Sequence, residues 1–320
     1  MQANFGMDFD RATISALLPP PLRGRVGEGG VLTGTLVRCY PPPCPSPSRG
    51  GRGRWGEGGA INRQICMRGL KDKTVIITGG ANGIGAAICR RLAEEGCIVG
   101  IFDLDKTAGE KVVTEIKTGG GRASFHAIDI SDYAAVQRAV EAFEAASGPI
   151  ALLVNNAGWD RALTFLDSTP EFWSKVVAIN LYGPLNMCHV VLKGMAARNF
   201  GRVVNVASDA GRVGSSGEAV YSACKGGVIA LTKTLARELV GKGVILNTLC
   251  PGPTDTAILR SFLEGPDGTR IADGLKRAIP MRRFGAPEDY PGLVAFLLSD
   301  DAAYMTGQTI SVSGGLTMHG

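Results

Sequence analysis

In the run E-A-V-Y-S-A-C-K, Tyr221 and Lys225 are four residues apart, so a helix over this stretch sets phenol and ammonium on one face. A free tyrosine has a pKa of about 10 and is a weak base at neutral pH, but a neighbouring cation favours the phenolate and brings it toward the range of a working general base. Ser208 follows the apolar run R-V-V-N-V-A, thirteen residues before Tyr221. A strand ending there delivers its hydroxyl beside the helix, where it can hold a substrate oxygen. The chemistry these three groups suit is proton transfer at an alcohol or carbonyl oxygen. Y-x-x-x-K alone carries little weight, since a chain of this length meets it by chance about half the time; its surroundings decide.

Those surroundings alternate. From residue 74 onward, short β-branched apolar runs near 74–78, 97–102, 123–128, 150–154, 202–207, 244–249 and 308–312 read as strands. Helical patterns fill the gaps near 83–95, 105–118, 132–146, 170–198 with a break, 219–240 and 287–299. Strand and helix in alternation predict an α/β fold, a doubly wound parallel sheet of about seven strands in a single domain. Residues 254–284 are rich in Gly, Pro and charge and read as a long functional loop of the lid type.

The first strand runs into Thr78-Gly79-Gly80-Ala81-Asn82-Gly83-Ile84-Gly85, and a helix follows at once. Glycines there permit a tight turn, let backbone approach a pyrophosphate and aim a helix N-terminus at its charge; they also suit an ordinary turn. Eighteen residues beyond Gly85 the second strand ends at Asp103, whose carboxylate can accept both hydroxyls of an adenosine ribose and would repel a 2'-phosphate. No arginine lies in the glycine turn or directly after Asp103, so NAD is expected rather than NADP. The alternative for Asp103 is a helix N-cap, a part that Asp105 can fill instead. Asp129, followed by Ile130, and Asn155-Asn156-Ala157-Gly158 sit at further strand ends, where open sheets bind ligands, although Asn and Gly are also common turn formers.

Residues 1–66 differ from the rest. They are about 30% Gly plus Pro and contain no lysine, which reads as a low-complexity, disordered extension or a start-site artefact preceding a domain over 67–320. The extension holds eight arginines against four acids, so of the net charge of +5 only about +1 belongs to the remainder; a basic nucleic-acid surface is not indicated. None of the eight cysteines forms a C-x-x-C or a Cys/His cluster, which points to reduced, buried thiols and no metal site. No run approaches the roughly 18 apolar residues of a membrane span. A cytoplasmic protein with no membrane or nucleic-acid partner is expected.

Taken together, T-G-x-x-x-G-x-G at Thr78 to Gly85, N-N-A-G at Asn155 to Gly158, Asn180, Ser208, Tyr221 with Lys225, and P-G at Pro251 and Gly252 resemble the short-chain dehydrogenases/reductases across 71–320. That resemblance implies a Rossmann-like fold, usually tetrameric, moving hydride between a nicotinamide and an alcohol or ketone. It implies that Tyr221 is the general acid/base and that Lys225 lowers its pKa and holds the nicotinamide ribose. Ser208 would polarise the carbonyl, and Asn180 would keep a water in the proton relay by interrupting its helix. Cofactor contacts are implied at Thr78, Gly79, Asn82, Gly83, Ile84, Gly85, Asp103, Asp129, Ile130, Asn156, Ala157, Gly158, Pro251, Gly252 and Thr254, besides Tyr221 and Lys225.

The pieces N-N-A-G-W-D, S-S-G-E-A-V-Y and P-G-P-T-D-T-A and the C-terminal S-V-S-G-G-L-T-M-H-G are similar to those of 2-hydroxycyclohexane-1-carboxyl-CoA dehydrogenases within the family. They imply a hydroxyacyl-CoA thioester as substrate; Trp159 and Val213 can wall its ring or serve as ordinary packing. Arg260, Arg270, Lys276, Arg277, Arg282 and Arg283 offer charge for CoA phosphates or simply a solvated helix face. A 3-oxoacyl-ACP or 3-oxoacyl-CoA reductase is the alternative within the family, and a non-catalytic NAD-sensing protein the alternative outside it.

Overall fold

The computed structural model describes residues 67–264 and 267–318; the extension read over 1–66 lies outside them. Seven parallel strands form one sheet: β1 (Thr74–Thr78), β2 (Ile98–Asp103), β3 (Arg122–Ala127), β4 (Ile150–Asn155), β5 (Gly201–Val206), β6 (Val244–Pro251) and β7 (Thr309–Val312), in the order β3-β2-β1-β4-β5-β6-β7. The connecting helices are α1 (Gly83–Glu94), α2 (Lys106–Thr118), α3 (Tyr133–Ser147), α4 (Pro170–Val177), α5 (Gly183–Ala197), α6 (Ala210–Val213), α7 (Ala219–Leu239), α8 (Ala257–Phe262), α9 (Gly268–Ala278) and α10 (Pro291–Leu298). The Rossmann-like α/β reading therefore holds.

Strand β1, T-V-I-I-T, is buried at every position. Because successive side chains leave a strand on opposite faces, Val75 and Ile77 enter one core with Leu92, Val99, Val206 and Val294. Ile76 enters the other with Phe102, Phe143, Leu153 and Met187. Each such side chain contributes about 1.5–3 kcal/mol on burial, and the two cores clamp the sheet whose strand ends carry the polar groups. Helices start on side-chain caps that the chain supplies locally: Asp105 accepts the Ala108 amide and Asp132 that of Ala135, both at 3.0 Å.

Two expectations change. The segment over 254–284 is largely helical, carrying α8 and α9; in α9 the apolar Ile271 and Leu275 sit four apart among charged neighbours, a stripe that composition hides. It is tied at its base, where Thr254 pairs with Gly285. The four-residue α6 after Ser208 also went unread, being too short to show a period. Among the described residues no helix is long and apolar enough to cross a membrane, and Cys89, Cys97, Cys188, Cys224 and Cys250 are free and buried.

Candidate active site

Strands β1 and β4 lie side by side, and the chain winds outward from them in opposite directions, which opens a crevice at their C-terminal ends. The glycine turn closes its floor. Gly79 has a φ of +64°, and a β-carbon there would stand 2.7 Å from the Ala157 Cα; at Gly85 a β-carbon would collide with the Gly79 carbonyl. The N-cap Asn82 makes no side-chain cap of α1, so the first-turn amides are left for an anion. This turn, with an acid at the end of β2, fits a dinucleotide.

Thr78 and Asn156, expected to touch that cofactor, brace the turn. The buried Thr78 hydroxyl accepts the amides of Asn156 at 3.0 Å and Ala157 at 3.1 Å. The Asn156 carboxamide donates back to the Thr78 and Gly79 carbonyls, each at 3.1 Å. Asp103 ends β2, and its two oxygens accept the amides of Ala81 and Asp105, both at 3.0 Å. Asp105 is the N-cap of α2, so the N-cap alternative for Asp103 falls away. With one bond on each oxygen, the Asp103 carboxylate keeps lone pairs for two further donors. Asp129 is exposed and uses one oxygen on Ser131, at 2.9 and 2.7 Å. Ile130 is buried, packs so closely on Gly183 that a β-carbon there would collide with it, and gives its carbonyl to Asn186; its side chain is core, and only its amide remains for a ligand.

Strand β5 places the reacting groups. Two residues past its end, the Ser208 hydroxyl accepts the Ala210 amide at 3.1 Å and favours the phenolate form of Tyr221. Gly211 lets this turn press on α7: a β-carbon there would stand 2.6 Å from the Lys225 carbonyl carbon. Lys225 is buried, donates to the Val206 carbonyl at 3.0 Å, and keeps its nitrogen 5.5 Å from the Tyr221 ring centroid. Burial brings the Lys225 ammonium down to about 8. The expectation of a lowered phenol is corrected here. Burial pushes Tyr221 above its ordinary value, Glu218 adds to the rise, and Ser208 opposes it without prevailing.

Asn180 is fully buried in a π-helical turn, Ala178–Tyr182, between α4 and α5, the break expected within 170–198. Its amide nitrogen donates to the carbonyls of Val176 at 2.9 Å and Trp159 at 2.6 Å, and its oxygen accepts the Trp159 amide at 3.2 Å. A β-carbon on Gly158 would stand 3.0 Å from that oxygen and 3.5 Å from the Lys225 nitrogen. The N-N-A-G loop, the π-turn and α7 therefore meet at one point.

Beside Tyr221 lies a small hollow of about 10 Å³, lined by Asp160, Leu163, Phe165, Phe172 and Glu218 among others. Trp159 and Val213 do not line it. The Trp159 ring is turned onto Phe172 and under the Lys175 ammonium at 3.9 Å, and Val213 is exposed on α6. Past β6, the Thr254 hydroxyl bonds the Gly252 carbonyl and the Tyr290 hydroxyl, which occupies it at the base of the 254–284 segment. Thr256, which sequence reasoning passed over, lies over the glycine turn, 3.4 Å from where a β-carbon on Gly83 would be; its signal was the second threonine of P-G-P-T-D-T. Of the six cations considered for CoA, Arg260, Arg270 and Arg283 pair with Asp255, Asp267 and Asp289, and the Lys276 ammonium lies over Phe284.

A family model described as enoyl-(acyl carrier protein) reductase matches residues 79–317. The chain is 39% identical to an acetoacetyl-CoA reductase of Rhizobium meliloti, over 76% of this chain and 98% of the relative. It is 36% identical to a 3-oxoacyl-(acyl-carrier-protein) reductase of Chlamydia pneumoniae, over 78% and 98%. A 2-(S)-hydroxypropyl-CoM dehydrogenase of Xanthobacter autotrophicus is likewise 36% identical, over 78% and 98%.

Proposed function

Since the chain belongs to the short-chain dehydrogenase/reductase family, and is thus an oxidoreductase of alcohol and ketone groups, we propose that it moves hydride between NAD and the β-carbon of a short hydroxyacyl or oxoacyl thioester. The observation that carries this reading is the meeting of Ser208, Tyr221 and Lys225 at the end of β5, with Lys225 donating to the Val206 carbonyl at 3.0 Å and Ser208 favouring the Tyr221 phenolate.

In this reading Asp103 takes the adenosine ribose hydroxyls, the glycine turn and α1 take the pyrophosphate, and Lys225 with Tyr221 takes the nicotinamide ribose. NAD, when bound, supplies the site that accepts or gives the hydride. Ser208 holds the substrate oxygen, and Tyr221 gives it a proton on reduction or removes one on oxidation. A phenol held above its ordinary range is protonated at neutral pH. Reduction is therefore the direction for which the site is charged near pH 7, and oxidation improves in alkali. Lys225 beside it becomes easier to deprotonate than a free lysine, which suits a group that passes a proton on. Asn180, by fixing Trp159, shapes the loop that faces Tyr221.

The open-chain oxoacyl assignment rests on the acetoacetyl-CoA and 3-oxoacyl relatives, which favour it over the alicyclic hydroxyacyl-CoA. Both substrates carry the reacting oxygen on the carbon β to the thioester. The homotetramer that the family resemblance implies is proposed to pack on the apolar groove between α5 and α7, lined by Leu185, Leu192, Leu231, Leu235 and Leu239.

The test is reduction of acetoacetyl-CoA, longer 3-oxoacyl-CoA thioesters and 2-oxocyclohexane-1-carboxyl-CoA with NADH and with NADPH, followed by loss of the reduced nicotinamide. Turnover of acetoacetyl-CoA with NADH is expected. Silence with every thioester sinks the substrate assignment, and equal use of NADPH sinks the cofactor assignment.

A further inference from the structure

Asp160, two residues past the N-N-A-G motif, has a side chain about 95% buried, and one of its carboxyl oxygens has no hydrogen-bond partner. That carboxyl lines the hollow beside Tyr221, whose other walls are mainly Leu163, Phe165 and Phe172, with Glu218 as the second acid. A buried polar atom without a partner costs on the order of 1–3 kcal/mol, so an oxygen left this way next to the reacting phenol marks a place where a ligand atom belongs. We propose that Asp160 is a specificity-determining residue that binds the second oxygen of the substrate, the thioester carbonyl, while Ser208 and Tyr221 hold the first. The proposal rests on the oxoacyl-thioester reading of the site.

The chemistry decides which form of Asp160 does this. A carbonyl oxygen only accepts, so its partner must donate, and a carboxyl donates only when protonated. Burial pushes Asp160 up to about 7, the Arg161 backbone amide pulls the other way, and Glu218 adds to the rise. Glu218, at the start of α7, is itself raised by burial. The other charged or titratable groups on the packed elements are Tyr221, Cys224 and Lys225, followed further along by Lys233, Arg237 and Glu238, on α7, and Glu171 and Lys175 on α4. The Lys175 ammonium is drawn off over Trp159 and the Arg161 guanidinium over Phe172, so no cation bonds to Asp160 among the described residues. Near neutrality a large fraction of Asp160 is therefore the acid. Above that range it ionises, ceases to donate, and sets a negative charge against the carbonyl.

The experiment is the pH profile of KM and kcat for acetoacetyl-CoA with wild type, Asp160→Asn and Asp160→Leu. Wild-type KM is expected to rise at least tenfold between pH 6 and 9. The asparagine, a donor at every pH, should hold KM near the wild-type low-pH value throughout; the leucine should raise KM at least tenfold at pH 6, with a smaller change in kcat. An asparagine variant that keeps the wild-type rise in KM, or a leucine variant that loses kcat at unchanged KM, overturns the proposal. If wild type turns over no oxoacyl thioester, the functional reading fails and this inference with it. Turnover with an Asp160-independent KM removes this inference alone.

Discussion

The Lys225 nitrogen donates to the Val206 carbonyl at 3.0 Å, so the last residue of β5 holds the cation of α7 while Ser208, two residues on, acts on the phenol of the same helix. One strand end thus sets both partners of Tyr221. The arrangement separates their roles, and substitution should separate them too.

Tyr221→Phe keeps the ring and deletes the transferable proton. Turnover should fall by the roughly 100- to 10,000-fold typical of a lost acid/base, with NAD affinity kept. Lys225→Met should weaken NAD and lower turnover, and Ser208→Ala should cost activity at unchanged NAD affinity. Titration of NAD binding alongside pH-rate profiles for the three variants checks this; near wild-type turnover in Tyr221→Phe would take the phenol out of the mechanism.

Asp103 governs the choice of dinucleotide in our reading, because its two oxygens are aimed by the Ala81 and Asp105 amides and carry one bond each. Asp103→Ala should lower kcat/KM for NADH by about tenfold, the 1.4 kcal/mol scale of a charge-assisted hydrogen bond, and raise relative use of NADPH. An unchanged NADH to NADPH ratio would remove Asp103 from the specificity.

Asp160 should also leave a mark on stability. Its folded-state pKa is raised from an ordinary 3.8 to about 7, so between those values the folded chain binds a proton that the unfolded chain has released. Stability contributed by this group is therefore full below about pH 4, declines as pH rises, and is lost above about 7. Asp160→Asn should melt higher than wild type at pH 8 by at most about 4 kcal/mol, at about 1.36 kcal/mol per unit, less to the degree that water screens the carboxyl. The gap should close toward pH 4. Thermal melts at both values decide it, and a pH-independent gap would mean that the carboxyl is not the cause.

Asn180→Ala leaves the backbone amide and carbonyl of Trp159 without the partners they have at 3.2 and 2.6 Å. The expected loss is on the order of 1–3 kcal/mol of stability together with a fall in kcat, since the loop that carries Gly158 and Asp160 is freed. Denaturant melts and kinetics on the same preparation test it. Full activity with reduced stability would limit Asn180 to a structural part.

Much of this was legible in the chain alone. The alternation of β-branched runs with helical patterns gave the parallel sheet, because strand and helix periods are local properties. The spacing of Tyr221 and Lys225 set them on one helix face for the same reason. Asp103 at the end of β2 and the glycine turn before α1 were likewise readable from local order, whereas Asn180 came from the family resemblance. Other features depended on residues far apart in sequence. Thr78 and Asn156 turned out to brace each other across 78 positions, Thr256 came to lie over Gly83, and Asp160 and Glu218 came to line one hollow. The direction of the Tyr221 shift belongs to this group as well. Four-residue spacing placed a cation near the phenol, but whether the cation or desolvation wins depends on what the whole fold packs around the oxygen. That balance, like an unpartnered carboxyl, exists only once distant segments have closed over the site and removed its water.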